Sequence, residues 1–394
     1  MTIRMYGAGT CVLLMVACTG SPGGDDVPDV PAPVSDHAAT PLARDITALI
    51  DVFAPLDEGP QPGCAVGLSD GTRTVLAEGY GLANLEHDIP NGPDTVFRIA
   101  SVSKQFTAYA VALLAEDGAI DVDADIRTYL PDLRPYEHEV TVAQMIAHTA
   151  AMPDYEVGGD YELFPGQLFR FGDMDYWSIE DFYDVVRTKP LGGVPGEAYA
   201  YSNTAYFLLG QLVERVSGQS LRNFAQERIF DPLGMDDTLF MDDVRLVLPN
   251  RATGYRPVED EGRFEIAMTN LPWVGEGGVH TTVNDMLVWD SAFHNGTIPG
   301  GPAMAERLAT PFHNMAGDET DAADTGYAYG RGITTMDGQP VELHSGGWTG
   351  HVAYYVRNAD TGRAAVTLCN TENPPDGLTE RMHAYVTAME PGAD

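Results

Sequence analysis

At 394 residues, with 44% hydrophobic and 9% aromatic side chains, the chain has enough apolar mass for one large globular domain or two closely packed ones. Its 58 Asp and Glu against 22 Lys and Arg leave a formal charge of −36 with no basic block, a balance that excludes nucleic acid and anionic membrane surfaces as natural partners. Only two of the basic residues are lysines, Lys104 and Lys189.

In chain order, Arg4 precedes the apolar run CVLLMVA, which ends in small residues at Cys18. That is the pattern of a secretory signal, too short for a stable membrane span. LLMVAC resembles the lipobox of bacterial lipoproteins, with Met15 where a Leu is usual, and makes Cys18 a candidate lipid anchor. Residues 19–39 carry the Pro, Gly and Asp content of a disordered tether. The expected location is therefore outside the cytoplasm, on a lipid anchor in the bacterial envelope or freely secreted.

Thr40-Pro41 then reads as an N-cap and first-turn proline, with Leu42, Ile46, Leu49, Ile50 and Phe53 on one helical face. GCAVGLSDGTRTVLAEGYG predicts two strands joined at Ser69-Asp70-Gly71. VFRIA predicts a short strand, and SVSKQFTAYAVALLAEDG a helix closing near Gly118. From there to about residue 250 the periodic segments are helical, notably VTVAQMIAHTA, IEDFYDVVRT and TAYFLLGQLVERVSG. Strands return in QPVELHS, HVAYYVRN and RAAVTLCN, with NADTG as a hairpin turn, before a last helix through MHAYVTAM. Strands at both ends enclosing helices predict an α/β fold, an antiparallel sheet flanked by helices, with sheet parts at about 40–117 and 265–394 and an inserted helical part at about 118–264.

Cys64 and Cys369 both sit in strand-like runs, either as a disulfide or as two buried thiols. No Cys-x-x-Cys or His-Glu-x-x-His spacing occurs, so neither a metal nor another cofactor is expected.

Ser101 and Lys104 lie one turn apart if the helix begins at Ser101, which lets the amine reach the hydroxyl. A serine hydroxyl needs a neighbour that removes its proton, and a buried lysine near a helix start has the lowered pKa to do so. The same helix start offers free backbone N–H groups to an oxyanion. Taken singly, the pair also fits an N-cap serine followed by a solvated lysine. Two later stretches decide between these: Tyr201-Ser202-Asn203 before an apolar helix, and His344-Ser345-Gly346-Gly347 on a strand.

Ser-x-x-Lys, then Tyr-x-Asn about a hundred residues later, then His-x-Gly near the C-terminus resembles the serine β-lactamase and penicillin-binding-protein superfamily. The nearest branch is that of the class C β-lactamases with their D,D-peptidase, D-aminopeptidase and esterase relatives, and the resemblance covers roughly residues 42–390, including AHTAAMP and GEGGVHTTVNDM. It implies a serine hydrolase in which Ser101 is acylated and Lys104 and Tyr201 share proton transfer. It further implies that Asn203 bonds Lys104 and the substrate, that the N–H groups of Ser101 and Gly347 form the oxyanion hole, and that Gly346 lets the strand approach closely. His344 stands where β-lactamases usually carry a lysine, which predicts esters or amides lacking a carboxylate there. Trp348-Thr349-Gly350 offers a second register for this motif. A β-lactamase, or a penicillin-binding or sensor protein with little turnover, is the alternative on the same fold.

GLSDG, residues 67–71, matches the Gly-x-Ser-x-Gly elbow of α/β-hydrolases, but a strand follows it instead of a helix, so Ser69 reads as a hairpin residue. Ser103 points away from Lys104 by helical geometry. His148 is expected to support a loop beside the site, and His280 and His351 to be satisfied or exposed. The acidic run 317–326 reads as a solvated loop.

Overall fold

The computed structural model describes residues 41–155, 160–164, 167–170, 175–258, 261–312 and 326–388. The signal-like run with Cys18, the 19–39 stretch, Thr40 and the acidic run as far as residue 325 lie outside the described residues. Helix α1 spans Pro41–Ile50 and is followed by β1 (Cys64–Asp70) and β2 (Thr74–Tyr80). The turn between these strands closes on Asp70, whose Oδ1 accepts from the backbone N–H of Thr72 and Arg73 at 2.9 and 3.0 Å. Ser69 Oγ accepts from Gly71 N–H at 3.1 Å, which leaves this serine a turn residue.

Five C-terminal strands complete one sheet: β3 (Gly326–Tyr327), β4 (Gly332–Met336), β5 (Gln339–Trp348), β6 (His351–Asn358) and β7 (Arg363–Cys369). Their order is β3-β4-β5-β6-β7-β1-β2, and every neighbouring pair is antiparallel. The α/β reading of an antiparallel sheet built from both chain ends is thus the fold observed. Cys64 pairs with Cys369 across β1 and β7, and the two form a disulfide with Cα atoms 4.0 Å apart.

Alternation along the strands decides what each face buries. Val66, Leu68, Val341 and Val356 pack on Leu49 and Phe53 and on Met382 and Tyr385 of the last helix, α5 (Leu378–Thr387). The opposite face, with Ala65, Tyr355, Val366 and Leu368, joins the larger core. Two helices lie there, α2 (Lys104–Glu116) and α4 (Val283–His294), joined by Phe106 and Trp289 with ring centroids 5.1 Å apart. The chain between contains the helices Val142–Ile146 and Ile179–Val186 and helix α3 (Asn203–Ser217).

Three expectations need correction. The helix predicted from Ser101 begins as a 3₁₀ turn, Ala100–Ser103, and becomes α-helical at Lys104. The helical insertion holds a hairpin, Asp160–Phe164 with Gln167–Arg170, in the register Tyr161 to Phe169. The turn dipeptide Pro165-Gly166 between two short aromatic- and leucine-bearing runs is a hairpin signal that a search for helical periodicity passes over. Finally, the strand predicted over QPVELHS does not stop at Ser345 but runs on through Trp348, carrying both glycines of the motif within it.

Candidate active site

Ser101 sits in the 3₁₀ turn directly after Ala100, whose φ of +45° is costly for a residue with a Cβ, on the order of 1–3 kcal/mol. Strand β5 presses against this turn. A Cβ on Gly346 would lie 2.3 Å from Ile99 O and 2.9 Å from Ser101 N, so only glycine admits the approach, while a Cβ on Gly347 would meet nothing within 4 Å.

Lys104 is fully buried, and its Nζ has three partners: Ser101 Oγ at 3.0 Å, Asn203 Oδ1 at 2.7 Å and the carbonyl oxygen of Glu276 at 2.8 Å. Two of these only accept. A neutral amine therefore donates to Asn203 and Glu276 and has its lone pair left for the one partner that carries a proton, the Ser101 hydroxyl. Burial pulls the Lys104 ammonium down to about 7, against the opposing pull of the Glu276 and Asp154 carboxylates, so the neutral form is well populated near neutral pH.

Asn203 is held for this task by Asp154. Asp154 Oδ1 accepts from the backbone N–H of Asn203 and Thr204 at 2.8 and 3.1 Å, and Oδ2 accepts from Asn203 Nδ2 at 2.9 Å. The amide nitrogen is thereby committed to the carboxylate, and the amide oxygen turns to Lys104. Ser202 caps α3, its Oγ accepting from Ala205 N–H at 3.1 Å.

Tyr201 lies over the amine, with Lys104 Nζ 4.8 Å from its ring centroid. Tyr201 is 37% exposed as a whole, yet the packing around its hydroxyl raises the phenol above the ordinary value, with the Ser101 hydroxyl acting in the other direction. It is therefore a proton donor at neutral pH and not a resident phenolate. His148 holds Tyr201 from behind: the rings are 4.3 Å apart, Nδ1 accepts from Ser202 N–H at 3.1 Å, and the His148 carbonyl accepts from Ala200 N–H at 2.7 Å. His148 itself adopts a φ of +58°, is 1% exposed, and is kept neutral chiefly by burial.

His344 faces the same space, 6.3 Å from Tyr201 between ring centroids. Both of its nitrogens are engaged. Nδ1 lies 2.6 Å from Ser345 O and so carries the ring proton, which leaves Nε2 to accept from Tyr327 O–H at 2.9 Å. Burial drives its pKa down to about 4, so no cation stands at this position. The structure thus brings Ser101, Lys104, Tyr201, Asn203, His344 and Gly346 to one place. Ser103 points elsewhere, its Oγ accepting from Val279 N–H at 3.0 Å.

The residues sequence reasoning missed come from loops. Glu276 is 4% exposed and takes a hydrogen bond from Tyr155 O–H at 2.9 Å on Oε1; its carboxyl is raised by burial. Its loop is pinned to α2 by Thr107, whose hydroxyl donates to Gly275 O at 2.6 Å. The unusual acidic residue in Gly-Glu-Gly-Gly was the one signal available; Asp154, Tyr155 and Tyr327 had none.

The family described as Beta-lactamase matches residues 49–388. Among curated proteins, the chain is 28% identical to a D-aminopeptidase of Gluconobacter oxydans, over 81% of this chain and 57% of that protein. It is 27% identical to penicillin-binding protein 4* of Bacillus subtilis, over 86% and 74% respectively. Among solved structures, the penicillin binding protein from Bacillus halodurans superposes with a TM-score of 0.70 at 23% identity, covering 85% of this chain and 98% of that one.

Proposed function

This chain belongs to the beta-lactamase family, and from that premise we propose that it is a serine hydrolase that cleaves an ester or amide through an acyl-enzyme. The observation that carries the reading is the partner set of Lys104, in which only Ser101 can donate to the neutral amine. Ser101 Oγ attacks the substrate carbonyl as its proton passes to Lys104 Nζ, and the carbonyl oxygen becomes an oxyanion held by the N–H groups of Ser101 and Gly347. Collapse expels the leaving group, which takes a proton from the Tyr201 phenol; Lys104 returns its proton to Tyr201. Water then repeats the sequence on the acyl carbonyl and regenerates Ser101.

The neutral, doubly bonded His344 supports substrates with no carboxylate at that point. Similarity to a D-aminopeptidase supports amides as well as esters. Similarity to penicillin-binding protein 4* supports the second reading, an acylated protein that deacylates slowly. The Cys64–Cys369 disulfide supports an oxidising compartment, and with the lipobox-like LLMVAC we propose an exported protein anchored through Cys18.

A fluorophosphonate probe followed by turnover of nitrophenyl acetate tests the proposal. Stoichiometric labelling that disappears in Ser101→Ala and persists in Ser69→Ala, with turnover, is expected. Labelling without turnover favours the slow-deacylating protein, and labelling that survives Ser101→Ala overturns the site.

A further inference from the structure

A polar cavity of about 160 Å³ opens beside the strand Phe97–Arg98, the strand Val279–Thr281 and the turn between β5 and β6. That is far more than the roughly 10–15 Å³ a single water needs. Arg98, Arg251, His280, Thr349 and His351 line it, with Asn270, and among the described residues no carboxylate does. In a chain with 58 acidic and 22 basic residues, such a wall runs against the composition.

Buried arginines need counter-ions, and no carboxylate stands in direct contact with these two among the described residues. Arg98 is 6% exposed, its Nε has no hydrogen-bond partner among the described residues, and its guanidinium carbon lies 5.2 Å from the Trp348 ring centroid. Burial lowers its pKa to about 10, relieved only at longer range by Glu276 and Tyr155, and burial also lowers that of Arg251. Neither arginine forms an ion pair among the described residues. His280 and His351 are 5% and 2% exposed. Their Nδ1 atoms lie 3.3 Å from the carbonyls of Gly278 and Thr349, so each proton is spent on the backbone and the charge of the cavity is that of the two guanidiniums. His351 Nε2 is buried with no hydrogen-bond partner among the described residues.

We propose that this cavity is an anion-binding site, taking a carboxylate or an oxyanion of similar size between Arg98 and Arg251. An anion supplies a direct countercharge, and guanidinium forks match its paired oxygens. The site adjoins the reaction centre through the chain itself: Arg98 precedes Ser101 by three residues, and Thr349 follows Gly347 by two. The anion is either a group carried by the acyl substrate, seated here instead of at His344, or a free small-molecule carboxylate.

Succinate titration of the protein, followed by thermal unfolding with sodium chloride at matched ionic strength as reference, reads the site directly. A saturable rise in Tm is expected, with the midpoint at least tenfold higher in Arg251→Met, a half-buried position whose variant is checked for folding by circular dichroism. Arg98→Met, if folded, behaves the same way. The ratio of kcat/KM for nitrophenyl hemisuccinate over nitrophenyl acetate identifies the source. A ratio that falls tenfold in Arg251→Met assigns the anion to the substrate, whereas an unchanged ratio with lost succinate binding assigns it to a free ligand. No saturable response to succinate in the wild type, or an equal midpoint in Arg251→Met, overturns the proposal. Binding is read without turnover, so failure of the serine chemistry registers separately, in the fluorophosphonate labelling.

Discussion

Two buried ionic clusters lie on one face of β5, and they differ in whether their charges close. Around Glu342, Arg331 Nη1 stands 3.3 Å from Oε2 and Arg357 Nη1 3.2 Å from Oε1, while Arg357 Nε reaches Asp290 Oδ1 at 3.0 Å. Two cations meet two carboxylates, and Tyr355 O–H adds a bond of 2.7 Å to Asp290. Burial works against the charge on Arg357, yet Tyr355, Asp290 and Glu342 hold its pKa above the ordinary value. Along the same strand, Lys104 has a hydroxyl, an amide oxygen and a carbonyl as direct partners, with carboxylates acting only from farther off. Full ion pairing fixes protonation and gives a structural strut; neutral acceptors leave the proton free to move and give a base. The residue types agree, since an arginine keeps its proton in any protein while a buried lysine releases it.

The comparison breaks most decisively at Lys104. Lys104→Met should lower kcat/KM for nitrophenyl acetate by roughly 10³-fold, within the range for loss of a general base, while Tm holds or rises because a buried amine has been removed. Activity within tenfold of wild type would make the amine a bystander. Glu342→Gln should act on the opposite property. With that countercharge gone, Arg331 loses its ion pair and Arg357 keeps only Asp290, at a cost of about 3–5 kcal/mol read as a fall in Tm or in the denaturant midpoint. The folded remainder should still label with fluorophosphonate; an unchanged Tm would mean the cluster is no strut.

The smallest effect sharpens the contrast. The free amine of Lys104 is the active form, so kcat/KM should rise with pH through about 7 and level off above it. Glu276 raises the Lys104 pKa, and Glu276→Gln should therefore move this acid limb to lower pH, by less than about one unit. A limb that stays in place or moves upward would show that the carboxyl is already neutral or acts through Tyr155 alone.

Ser101, Lys104, Tyr201 and Asn203 were legible because each motif packs its chemistry into three or four residues flanking a helix start. The sheet was legible through strands at both ends. What was hidden are the contacts that tune those groups. Glu276 meets Lys104 across 172 residues and Tyr155 across 121, and Asp154 meets Asn203 across 49. No local pattern announces a loop carboxylate that folds back on a distant amide. His148 shows the limit well: a supporting role was readable from its position, but its ring contact with Tyr201 follows from a left-handed backbone at residue 148 that histidine rarely adopts.

The Cys64–Cys369 bond joins strands that are neighbours in space and 305 residues apart in sequence. It closes almost the whole catalytic region into a single covalent ring. A loop of that size removes entropy from the denatured chain equivalent to about 5 kcal/mol or more on the chain-entropy account. It also means that a protease cutting any exposed loop within the ring produces a nicked but still tethered molecule, whose halves cannot diffuse apart and can re-form the serine site.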